Sequence, residues 1–173
     1  MNPIYQFTVP VFAKSLKALD GILGKAQGFV ASGKITEEAM LNDRLAPDML
    51  PFTKQIQIAC DNAKGACARL SGTEIVSHPD EEKTLAELRE RIAKALAIVN
   101  ATTEESFKDA ATQKITLPYF PGKFMTGFDY AREYVIPNFF FHVTTAYDIL
   151  RKEGMELGKN DYIGGLPFNE LEA

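Results

Sequence analysis

The chain has 173 residues, of which 46% are hydrophobic and 24% charged, and its formal net charge is −4. That is enough chain for one domain, spanning 1–173, to bury a core without disulfides or structural metal, and the acidic balance leaves no basic footprint for nucleic acid or an anionic membrane. No stretch approaches the length of a membrane span and the opening residues lack a basic segment leading an apolar run, so a soluble, cytoplasmic protein is expected.

The first helix is predicted from Thr8 to Ser32, because Val9, Phe12, Leu16, Leu19, Leu23, Ala26 and Val30 recur in alternate threes and fours. Gly33 is its expected stop, and Thr36 caps a short turn, TEEAML, that leads into 42–49. A second helix from Pro51 to Ser71 presents a small inward face of Ala59, Cys60, Ala63, Ala66 and Cys67, which lets a neighbour approach closely. Two helical turns separate Cys60 from Cys67, so they are read as reduced core thiols and not a bridge. Thr73 to Lys83 is a charged stretch expected to be a solvated crossover, with His78 at its surface. Thr84 and Glu87 then match a capping box and open a third helix to Asn100, whose stripe is Leu85, Leu88, Ile92, Leu96 and Val99. Glu87 with Arg91 and Glu90 with Lys94 are spaced as i,i+4 pairs on its wet side. Lys114–Leu117 alternates as a strand, Tyr119–Gly122 turns, and 123–125 returns to form a hairpin. Thr126 opens the fourth helix, Pro137 should kink it, and the Gly- and Pro-rich tail after Gly154 shows no period.

The fold class that follows is all-α, a four-helix bundle with a small β-hairpin before the fourth helix. Phe128, Val135, His142 and Ile149 fall seven apart on that helix, which makes them one stripe. Asn138 lies four residues before His142 and Thr145 three after, so polar side chains stack where a bundle core calls for Leu or Val. This polar stack is the candidate site. Buried polar side chains most often pair with one another, so a register-fixing network of Asn138, His142, Thr145 and Asp61 is the plain reading, and a pocket for a small polar ligand is the sharper one.

Four long helices, a hairpin before the fourth, a histidine on that helix and a trailing LRKEG resemble the DinB/YfiT-like metalloenzyme superfamily. Within it, LAPDMLPFTKQIQIACDNAKGACARL, PNFFFHVTTAYDILR and LGKNDYIG look like one uncharacterised family, a domain of unknown function. The resemblance implies a divalent metal held by one histidine on the second helix and an H-x-x-x-H pair on the fourth. It places His142 on the second histidine of that pair and Asn138 on the first. Val143-Thr144-Thr145 stands where the superfamily has arginine-glycine-glutamine, and the second helix has no histidine, leaving Gln57 and Asp61 as its candidate ligands. A metal set of His142, Asp61 and Asn138 is poor for tetrahedral zinc, whereas nickel or manganese accept it better. Two functions therefore stand. One is a non-catalytic or small-ligand-binding homodimer with a degenerate metal site and no cofactor. The other is a divalent-metal-dependent enzyme of thiol-transferase or hydrolase type using His142 and Asp61. Whether the chain is an enzyme is left open.

Overall fold

A computed structural model describes residues 1–171. Asn2 sets the beginning of helix α1 (Pro3–Ala31): its side chain accepts from the N–H groups of Ile4 and Tyr5, and Pro3 supplies the preset φ of a first turn. The helix therefore starts at Pro3 and not at Thr8, a turn and more before its apolar repeat becomes regular. Helix α2 (Glu37–Asn42) is capped by Thr36. Helices α3 (Phe52–Ser71) and α4 (Leu85–Ala101) follow, α4 opening on the expected box, with Thr84 accepting from Glu87 N–H and Glu87 accepting from Thr84 N–H. Gly33, Gly72 and Gly154 all have positive φ, the conformation that lets a chain leave a helix at no steric cost.

The hairpin pairs β1 (Lys114–Ile115) with β2 (Met125–Thr126) antiparallel, Lys114 opposite Thr126 and Ile115 opposite Met125. After α5 (Gly127–Asp129) the chain runs through a π-helical segment (Tyr130–Val135) into α6 (Ile136–Lys152), with Pro137 in the first turn of α6. Pro137 has no N–H to give the carbonyl four residues back, and the wider i→i+5 turns just before it take up the irregularity that was expected as a kink. The wider turns also change the register. Phe128, predicted on the core stripe with Val135, His142 and Ile149, is 49% exposed, while the other three are buried.

One hydrophobic cluster joins the long helices: Phe12, Leu16, Leu19 and Leu23 of α1, Ile56 and Ala63 of α3, Leu88 and Ile92 of α4, Phe139 and Ile149 of α6. Helix α3 packs on both α4 and α6, and α1 closes the bundle against α4. The tail is more ordered than its composition suggested. Helix α7 (Lys159–Ile163) packs on α1, held by a Lys25–Asp161 ion pair of 2.7 Å and by Tyr162 against Tyr147. Five residues are too few to show a helical period. No described helix is long and apolar enough to cross a membrane.

Candidate functional site

His142 is 7% exposed, on the face of α6 that meets α3. Its Nδ1 lies 2.7 Å from Gln55 Oε1, and Gln55 Nε2 in turn donates to the Leu50 carbonyl at 2.9 Å. With the amide nitrogen committed to a carbonyl, the amide oxygen must accept, so Nδ1 carries the imidazole proton and Nε2 keeps its lone pair. Burial lowers the His142 pKa to about 4, so the ring is neutral at pH 7. The contact ties α6 to the first turn of α3 and, through Leu50, to the connection before it.

The other residues of the predicted cluster have separate partners. Asn138 donates to Asn62 Oδ1 at 3.2 Å, a second α6–α3 bridge. Thr145 turns back on its own helix and donates to the Phe141 carbonyl at 2.7 Å, a bond that satisfies the hydroxyl without reaching α3. Asp61 accepts from Arg91 at 2.9 Å and pairs with Lys64 at 3.1 Å, and Gln57 Nε2 donates to Glu82 at 2.7 Å. Four of the five residues are thus divided between two seams, Asn138 and His142 on α3–α6, Asp61 and Gln57 on α3–α4, and Thr145 joins neither. Helical spacing explains the division. Gln55 and Asn62 are seven apart and face α6, whereas Gln57 and Asp61 are four apart on the neighbouring stripe and face α4. The aromatic side chains near this stretch diverge too: Phe139 packs on Phe12, Tyr134 on Phe120, Tyr147 on Tyr162, and Phe141 lies exposed with its ring edge-to-face against His142.

The α3–α4 seam holds the polar centre that the helical pattern hides. Arg91, expected on the wet side with Glu87, is 1% exposed. It makes ion pairs of 2.9 Å with each of Asp61, Asp80 and Glu82 and donates to the Pro79 carbonyl at 3.0 Å. Glu87 instead reaches back to the N–H groups of Lys83 and Thr84. Burial works against the Arg91 charge, yet Glu82, Asp61 and Asp80 together carry its pKa above the ordinary guanidinium value. Burial would raise the Glu82 carboxyl, but hydrogen bonds from Arg91 and Gln57 outweigh it and hold the group below its usual range. The sequence signal was available in the crossover itself, which carries three acids, Asp80, Glu81 and Glu82, shortly before a helix with Arg91 nearly two turns in.

A metal centre of the kind the resemblance implies asks for several free donors on facing helices. Asp61 is committed to Arg91 and Lys64, Gln57 and Asn138 spend their amide nitrogens on Glu82 and Asn62 and have only neutral amide oxygens to offer on different seams, and His142 keeps the Nε2 lone pair. Among the described residues no group of three or more His, Cys, Asp or Glu side chains is arranged to hold a metal ion. The donor set does not fit the superfamily's metal.

The family model for the domain of unknown function DUF1993 matches residues 4–163. The chain belongs to the DUF1993 family. A crystal structure of a DinB family member protein from Shewanella denitrificans is 46% identical to this DUF1993 protein, with a TM-score of 0.92 over 96% of this chain and 95% of that one. No protein of curated function matches it. The DinB-like fold and the family expected from the helix-four motif are both established by these matches.

Proposed function

We propose that this DUF1993 protein is a non-catalytic DinB-like bundle that acts as a homodimer, its polar seams serving the register of the helices and not a metal reaction. One observation carries this reading: the side chains that the superfamily pattern would offer to a metal are divided between two seams, where Asp61 is engaged by Arg91 and where Asn138 and Gln57 are each held through the amide nitrogen. A single imidazole is no chelate, the neutral amide of Asn138 is a weak donor, and the engaged carboxylate of Asp61 lies on the other seam. Exposed Phe120, Phe124 and Phe128 beside the hairpin support association, since aromatic side chains are enriched at interface cores. The alternative, a divalent-metal enzyme, is favoured by one feature only: Gln55 fixes the His142 tautomer with Nε2 free, as an outer partner does for a ligating histidine.

Elemental analysis of protein purified without chelator or affinity tag, before and after incubation with zinc, nickel and manganese, separates the two. Traces well below one equivalent, unchanged in His142→Ala, are expected. Near-stoichiometric metal that is lost in His142→Ala would end the non-catalytic reading. Light scattering at micromolar concentration should give the dimer mass, and a monomer mass would remove the assembly from the proposal.

A further inference from the structure

The crossover between α3 and α4, residues 73–83, is fastened chiefly by polar contacts. It has no regular secondary structure, and its apolar residues Ile75 and Val76 are turned outward. The hydrophobic cluster passes from Leu70 to Leu85 with no member between them. What holds the segment down is polar and is supplied by the helices. Lys64 donates to the Val76 carbonyl, Arg91 to the Pro79 carbonyl, and Arg91 pairs with both Asp80 and Glu82. Lys54 reaches Asp80 at 2.9 Å, and Gln57 donates to Glu82 at 2.7 Å. On the helix side Arg91, Gln57 and Lys64 are deeply buried, whereas Lys54 and, on the crossover side, Asp80 are open to water.

The fit of the segment is incomplete. An open cleft of about 200 Å³ lies between it and α4, lined by His78, Pro79, Glu82, Glu90, Arg91 and Lys94 among others. Arg91 Nε and His78 Nδ1 are buried without a hydrogen-bond partner among the described residues, as is Gln57 Oε1. Cys60 is fully buried behind this cluster, with Arg91, Asp61, Glu82 and Lys64 all close enough to act on its thiol.

Opening this segment would therefore uncover little of the apolar core, the Cys60 thiol beside Arg91 being the part nearest to it. It would exchange ion pairs and two carbonyl contacts for hydration, a smaller cost than unfolding α3 or α4, which requires breaking the core itself. We propose that residues 73–83 form a strap latched by Arg91, which opens and closes as one unit over the floor of Gln57, Cys60 and Arg91 while the four long helices stay folded.

Cys60 and Cys67 provide a reporter and its internal control, because both thiols are buried on α3 but Cys67 sits two turns further on, near Thr102 rather than the strap. The full chain is alkylated with N-ethylmaleimide across low urea concentrations, and the two cysteines are followed separately by peptide mass spectrometry. The expected result is that Cys60 reacts ahead of Cys67 with little urea dependence, and that Asp80→Asn combined with Glu82→Gln speeds Cys60 by about tenfold or more without moving Cys67. Equal rates and equal urea slopes at the two cysteines would overturn the strap, as would a double variant that speeds both alike. The wild-type comparison needs no variant, so a double variant that fails to fold leaves the test in force, and Lys54→Met offers a milder loosening with the same expected selectivity.

Discussion

Lowering the pH from 7.5 to 5 should cost this protein stability through His142, and the amount follows from its burial. In the unfolded chain the imidazole titrates near 6.5, whereas in the bundle desolvation lowers it to about 4. Between those values the unfolded state binds a proton that the folded state refuses, so stability falls as pH falls through the window and is unaffected above it. At about 1.4 kcal/mol per pH unit the full penalty approaches roughly 3 kcal/mol, and about 2 kcal/mol of it is already present at pH 5. Urea unfolding at the two pH values measures it. His142→Leu should lose about 1–3 kcal/mol at pH 7.5, because Gln55 is left without its partner, yet its stability should change less between the two pH values than the wild type's by about 2 kcal/mol. His78, lowered first by burial and then by Lys64 and Arg91, adds a fall of the same sign to both proteins. Glu153, raised by burial and by Asp43, adds a gain to both, and the depressed carboxyls of Asp80 and Glu82 lose their contribution only lower in pH. The difference between the two proteins therefore isolates His142. Parallel pH dependences would refute the buried neutral imidazole.

Gly127→Ala should destabilise at or above the top of the usual overpacking range of about 1–3 kcal/mol, because the new Cβ would stand 1.8 Å from the Ala110 carbonyl oxygen, a backbone atom that cannot step aside; thermal unfolding reads it. Arg91→Leu should cost about 3 kcal/mol in urea unfolding, the lower end for a broken buried ion pair, since Asp61 and Asp80 keep access to water. Arg91→Lys should recover little of that loss, as an ammonium cannot reach three carboxylates and a carbonyl with one planar fork. Thr84→Ala should cost about 1 kcal/mol by removing the acceptor for the Glu87 N–H.

The helices were legible because periodicity and caps report on backbone and burial, which act locally. Thr84, Thr36, Gly33, Gly72 and Gly154 each do what the sequence pattern says they should. Partner choice across a seam is different. The stripe that carries Asn138 and His142 can be drawn from spacing on α6 alone, but which stripe of α3 it meets depends on the rotation of one helix about its axis against another. Gln55 and Asn62 lie on one such stripe and Gln57 and Asp61 on the next, with the choice between them made by packing that spacing within α3 does not record.

The same limit operates within one helix at Phe128. Counting in sevens presumes an unbroken i→i+4 ladder, and Tyr130–Val135 does not keep one. The sequence cause is Pro137, whose missing N–H frees a carbonyl one turn earlier and makes wider turns there less costly than a kink within α6. From Val135 onward the stripe is regular again, which is why His142 and Ile149 are buried as spacing requires while Phe128, on the far side of the wide turns, lies exposed and its ring is left to stack with Arg132. The wide turns before Pro137 therefore limit the register argument on this helix to the residues from Val135 onward. His142 lies on the favourable side, and the inward-facing histidine was accordingly the part of the site that spacing alone placed correctly in the fold.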